Sequence, residues 1–208
     1  MYQLVFKMNQ SVFNQGRAKI LKCFYKNRRN PLYFREITRE TGLTQTTTLA
    51  HLKALQEQRI LTRIKKKAHT YYQINGKNPQ VYALFSYLDY QHLNELPFER
   101  RSAIQEYLNQ LKTKPLIALI FGSTAKKTFT SESDIDLLLV FNQKETRQEK
   151  LKNDIEATTG IHVQSFPIHY DYFKTQLLKQ EDAVITHAIK TGFVVIGHHY
   201  FYEEVLKE

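Results

Sequence analysis

The chain has 208 residues, 42% of them hydrophobic and 24% charged, with a formal net charge of +10 and a single cysteine. That length accommodates one large domain or two small ones, and the composition is ordinary for a soluble globular protein. No run approaches the ~18 apolar residues that a membrane span needs. The start, MYQLVFKMNQSVFNQ, lacks the apolar core of a secretory signal. A lone Cys23 excludes an internal disulfide and a cysteine-based metal site, so a cytoplasmic protein without membrane contact is expected. Cys23 sits beside Leu21 and Phe24 in a helical pattern, the setting of a small buried core residue.

The charge is unevenly placed. Residues 1–78 hold 16 Lys/Arg against 3 Asp/Glu, a net +13, while residues 79–208 hold 14 against 17, a net −3. The asymmetry predicts two modules, the first of which faces a polyanion.

Within the first module, Ala18, Ile20, Leu21 and Phe24 recur at helical spacing, and Arg28-Arg29-Asn30-Pro31 ends the pattern. A second helix fits Tyr33 to Thr41, with Phe34 and Ile37 inward. Gly42 can close it in the left-handed region. Thr44 is then a suitable N-cap for a third helix reaching about Gln58, with Leu49, Leu52 and Leu55 as its apolar stripe. Two strand-like pieces follow, Ile60–Ile64 and Thr70–Ile74, with Lys65-Lys66-Lys67 between them. A helix-turn-helix followed by a basic hairpin resembles the winged helix-turn-helix of ArsR/MarR-type prokaryotic regulators, over about residues 14–75. The resemblance implies that the third helix enters the major groove of double-stranded DNA and that the wing follows the backbone. Gln45, Thr46, Thr47, Thr48 and His51 would then lie near base edges, and Lys53, Arg63, Lys65, Lys66 and Lys67 on phosphates. Contact with RNA or with a protein remains an alternative use of the same face.

Gly76-Lys77-Asn78-Pro79 punctuates the chain. Val81, Leu84, Phe85 and Leu88 form one helical stripe, with Tyr82, Tyr87 and Tyr90 interleaved. After Pro97, Ile104, Leu108 and Leu111 form another. These helices either make dimer contacts, giving a homodimer suited to a two-fold operator, or pack on the following domain.

The second module opens with an apolar strand, Leu116–Phe121, ending in Gly122-Ser123. Ten residues later come Asp134-Ile135-Asp136 and a second apolar strand, Leu137–Phe141. Residues two apart on a strand share a face, so Asp134 and Asp136 form a carboxylate pair next to a Gly-Ser turn. This is the donor set that a divalent cation and a nucleotide phosphate require. Gly-Ser, ten residues, Asp-x-Asp between two strands resembles the minimal nucleotidyltransferases of the DNA polymerase β superfamily, over about residues 114–208. The resemblance implies Mg²⁺ or Mn²⁺ held by Asp134 and Asp136. It implies an NTP, ATP foremost, held at Gly122 and Ser123, with Lys126 or Lys127 neutralising the triphosphate. The family carries a third carboxylate on a later strand; here the corresponding segment, Gly160–Ile168, places Gln164 at that position. Asp171 reads instead as an acid at a helix N-terminus. Transferase activity is therefore uncertain from the sequence.

The tail reads as helices from Tyr170 to Leu178 and from Asp182 to Lys190, then an apolar strand from Phe193. Phe201, Tyr202 and Val205 follow on a packing helix. His198 and His199 read as surface histidines.

The expected architecture is α+β in two domains: a winged helix-turn-helix (1–76), a helical connector (77–113) and an α/β nucleotidyltransferase-like domain with a mixed sheet (114–208). Three functions fit it. The chain is a DNA-binding transcription regulator that binds NTP-Mg and transfers a nucleotidyl group to a hydroxyl of protein or nucleic acid. Alternatively, as the resemblance to antitoxin-type minimal nucleotidyltransferases implies, it AMPylates a HEPN-type partner and autoregulates its operon. Alternatively it is a regulator with an inactive transferase fold.

Overall fold

The computed structural model describes residues 14–66, 69–143 and 149–207. The chain divides into two compact units, Met1–Phe85 with Leu206–Glu208, and Ser86–Val205.

In the first unit the order is α1 (Gln15–Lys26), β1 (Leu32–Tyr33), α2 (Phe34–Thr41), α3 (Gln45–Glu57), β2 (Leu61–Lys66), β3 (His69–Ile74) and the first half of α4 (Pro79–Asn94). Asn14 caps α1 by accepting from the Gly16 amide. Ile20, Leu21 and Phe24 turn inward, with Cys23 buried among them. Burial pushes the Cys23 thiol up to about 12, so it stays protonated. Gly42 closes α2 at φ +66, and its N–H donates to Thr38. The Thr44 hydroxyl accepts from the Thr47 amide at 3.2 Å and starts α3. The hairpin pairs in the order β1-β3-β2, all antiparallel.

Two features of this unit depart from expectation. Leu32-Tyr33 forms a short third strand against Tyr71 and Tyr72; two residues carry no readable period. The inner face of α3 is Thr48, Leu52 and Leu55, whereas Leu49 is 54% exposed. A Thr at an inward position mimics a polar face in the sequence, so the stripe is set one position away.

The second unit contains the rest of α4, then α5 (Phe98–Gln110), β4 (Ile117–Phe121), α6 (Gly122–Lys126), β5 (Ile135–Phe141) and α7 (Glu149–Thr159). After these come β6 (Val163–His169), α8 (Tyr170–Lys179), α9 (Ala183–Thr191), β7 (Phe193–Ile196) and α10 (His198–Val205). The sheet order is β6-β5-β4-β7, with β5 and β6 parallel and the other pairs antiparallel. This mixed sheet is the architecture expected. Every residue of β4, and every residue of β5 except Asp136, is buried, as continuous apolar strands covered on both faces require. α7 supplies the crossover between the parallel strands. Its sequence offers only Leu151 and Ile155 as long apolar residues, both buried, which is too thin a stripe to stand out. α4 brings a buried Asp89, whose carboxylate accepts from the Tyr202 hydroxyl at 2.5 Å and the Val194 amide at 3.2 Å. His198 lies beside it, with Nε2 3.7 Å from Asp89, and is thus an inward residue and not a plain surface histidine. Among the described residues, no helix is long and apolar enough to cross a membrane.

Candidate functional site

β4 and β5 are antiparallel neighbours with Phe121 opposite Asp136. The chain therefore leaves β4 beside Asp136 and turns into α6. That turn is Gly122, at φ +66. A Cβ there would stand 2.0 Å from Asp136 Oδ2 and 3.0 Å from its Cγ. Glycine is required for both reasons: the left-handed backbone and the carboxylate lying against the turn. Ser123 follows, half-buried on the first turn of α6.

Asp134 precedes β5 and Asp136 sits within it, both partly exposed. Asp136 is raised above the usual carboxylate range, first by burial and then by the charge of Asp134, with His187 acting in the opposite direction. Two acids in this position repel each other, and a bound cation relieves that repulsion. Parallel pairing places Gln164 of β6 in register with Asp136, and Gln164 is exposed. Register partners point to the same face, so an amide stands beside the carboxylate pair. Among the described residues, no cluster of three or more His, Cys, Asp or Glu forms a metal cage. Two carboxylates completed by phosphate oxygens and water suit Mg²⁺, which is seldom held in an all-protein cage.

The two lysines differ. Lys127 adopts φ +56 and pairs with Glu95, whereas Lys126 is exposed at the end of α6. Lys126 and Asp136 both act electrostatically on His187, which burial and Lys126 hold below its ordinary range. His187 also meets the Phe121 ring edge-on at 6.3 Å between centroids. Nothing in the sequence singles out His187, because only the packing of α9 on α6 brings it near Asp136.

A second residue was hidden in the sequence for a different reason. Arg100, on the first turn of α5, reads as one of many helix-surface cations, yet it is only 4% exposed. Its Nη1 donates to Thr124 Oγ1 (2.9 Å) and the Asp134 carbonyl (3.4 Å). Its Nη2 donates to the carbonyls of Thr130 (2.9 Å) and Ser133 (2.6 Å).

On the first unit, Gln45, Thr46 and Lys53 are exposed on α3, together with Leu49 and Ala50, and Thr47 is half-buried. Arg63 and Lys65 are exposed two residues apart on β2. Lys66 is the last residue of β2, and Lys67 lies outside the described residues. Two expected base-reading residues are corrected. Thr48 is fully buried, and its hydroxyl has no hydrogen-bond partner among the described residues, so it cannot reach a base. His51 is turned onto α1: a Cβ on Gly16 would stand 2.2 Å from its Nε2. Its position, three residues after Thr48, puts it on the flank of the inward face.

Residues 14–63 match the family model described as bacterial regulatory protein, arsR family, and residues 102–197 match that of polymerase beta, nucleotidyltransferase. Neither a curated protein nor a solved structure matches the chain.

Proposed function

We propose, from the premise that the chain joins a regulator-type DNA-binding helix-turn-helix to a polymerase-beta-type nucleotidyltransferase domain, that it binds DNA through α3 and the wing and an NTP with Mg²⁺ at the Gly122–Asp136 corner. The observation that carries this reading is the contact between the Gly122 turn and the Asp136 carboxylate. It brings a left-handed glycine turn and one carboxylate of the acid pair to one point, as a joint phosphate and metal site would need. In this reading Gly122 and Ser123 cradle phosphate oxygens, Lys126 balances their charge, and Asp134 and Asp136 are the protein's metal ligands. Bound metal would neutralise the triphosphate and stabilise the departing pyrophosphate. An acceptor hydroxyl oxygen then bonds to the α-phosphorus as the bond to pyrophosphate breaks. The hydroxyl proton leaves to solvent, since Gln164 cannot accept it.

Gln164 also supports a second reading, in which the site binds nucleotide without transferring it and the domain is a sensor. Calorimetric titration of ATP, CTP, GTP and UTP, with and without Mg²⁺, against wild type and Asp136→Ala tests the binding common to both readings. Metal-dependent binding that Asp136→Ala abolishes supports it, and binding indifferent to metal and to Asp136 refutes it. Incubation with labelled NTP and candidate acceptors separates the two: transfer lost in Asp134→Ala identifies an enzyme, and binding without transfer identifies a sensor. For the first unit, affinity for DNA that falls steeply with salt is the expected signature.

A further inference from the structure

The least explained group in the second unit is the buried guanidinium of Arg100. A buried charge is costly unless it is fully compensated, so its partners indicate what it is there to hold. Here the four acceptors are a threonine hydroxyl and three backbone carbonyls, all neutral. Three of them belong to the segment Thr130–Asp134 that delivers the first carboxylate. The fourth, Thr124, is a fully buried residue of α6, and its own hydroxyl donates to the Asp134 carbonyl at 3.3 Å. The segment is also tied to itself: the Ser133 hydroxyl accepts from the Thr130 amide at 2.9 Å. The Phe129 ring closes over the guanidinium, 4.2 Å from its central carbon. One side chain on α5 thus binds the phosphate-side helix to the loop carrying Asp134.

We infer that Arg100 is a positioning residue for the metal site: it fixes the Thr130–Asp134 segment against α6 so that Asp134 and Asp136 are held as a pair before any ligand arrives. The inference rests on the nucleotide-metal reading above and adds to it the residue that builds the site from behind. Only arginine meets the demand. Lysine keeps the charge but offers three donors on one nitrogen, whereas the guanidinium fork reaches separate acceptors in one plane. A cleft of about 420 Å³ lined in part by Glu99, Arg100, Phe129 and Ser131 adjoins the side chain.

The test compares wild type, Arg100→Ala, Arg100→Lys and Asp134→Ala in the full chain by thermal melting, amide hydrogen exchange and Mn²⁺ titration followed by electron paramagnetic resonance. Both Arg100 variants are expected to melt cooperatively. They should exchange residues 130–136 faster and bind Mn²⁺ about tenfold or more weakly, as loss of an outer-shell support does. Millimolar guanidinium should restore Mn²⁺ binding in Arg100→Ala and not in Asp134→Ala, a rescue that a general loss of stability would not show. If Arg100→Ala does not fold, Arg100→Lys carries the comparison. Unchanged Mn²⁺ affinity in a folded Arg100 variant overturns this inference alone. Mn²⁺ binding by wild type no stronger than by Asp134→Ala overturns the nucleotide-metal reading, and this inference with it.

Discussion

Replacing Gly122 by alanine tests the geometry on which the site depends. Two separate effects are involved. The first is backbone strain: φ is +66, and placing an L residue there costs about 1–2 kcal/mol. The second is contact. The new methyl would meet Asp136 Oδ2 at 2.0 Å, whereas ordinary contact begins at 3.4 Å, so the carboxylate must retreat by about 1.4 Å. Asp136 is half-buried and can rotate toward solvent, so the retreat removes little stability but takes the acid away from its partner. Displacements of about 1 Å in a reacting site cost on the order of 100-fold. Gly160 separates the two effects, because it lies in the same unit at φ +69 with nothing within 4 Å of its Cβ. Both Gly122→Ala and Gly160→Ala should lower Tm by about 4–8 °C, near 4 °C per kcal/mol for a unit of this size. Only Gly122→Ala should lose metal-dependent NTP binding or transfer. Gly122→Ala binding NTP-Mg like wild type, or losing it no more than Gly160→Ala does, would refute the reasoning.

Asp136→Asn should raise Tm at pH 7 while abolishing metal-dependent binding. The folded-state pKa of Asp136 lies above its unfolded value, so its protonation favours the fold below the unfolded pKa, and that contribution is lost as pH rises through the folded pKa. The advantage of Asn should therefore shrink toward zero in melts taken at acid pH; a constant gap would reject the electrostatic cause. Gln164→Asp restores an acid in register with Asp136 and should strengthen Mn²⁺ binding by about tenfold, with transfer measured alongside; weaker binding would show that the position faces elsewhere. Arg63→Ala and Lys65→Ala should each weaken DNA binding uniformly across sequences and reduce the salt slope by about 1 in a log–log plot, and an unchanged slope would remove the wing from the interface. Thr48→Val removes a buried hydroxyl without a partner and should stabilise the first unit by about 1 kcal/mol with DNA preference intact. A changed sequence preference would return Thr48 to the base-reading face.

The elements legible in the sequence are those whose signal is local. Gly42 and Thr44 mark the turn between α2 and α3 because one must adopt a left-handed backbone and the other must cap a helix. Both demands are met within four residues. The run Leu137–Phe141 announces a strand buried on both faces without reference to its neighbours. Gly122-Ser123 and Asp134-Ile135-Asp136 stand out because their spacing is set by a short helix and one loop between adjacent strands. Thr48 failed for a related reason. Its side chain is nearly the volume of valine, so packing accepts it inward, while its hydroxyl suggests a surface position to any reading by polarity.

The residues that stayed hidden act across long separations. Arg100 bonds to positions 24 to 34 residues away, and α9 must fold onto α6 before His187 approaches Asp136, 51 residues earlier in the chain. Neither residue type differs from the solvated Lys, Arg and His around it; what differs is its surroundings, which only the assembled sheet supplies. The same logic bears on Gln164. Its identity is a statement about charge, and its register beside Asp136 turns that into a statement about mechanism. Under the proposed nucleotide-metal reading, the left-handed Gly122 turn, the Arg100 contacts behind Asp134 and the two mutually repelling acids are the features that would hold nucleotide and metal. The third carboxylate that the resemblance leads one to expect is replaced by Gln164, in register with Asp136. That reading therefore predicts binding, and turnover is the property that Gln164→Asp would have to raise.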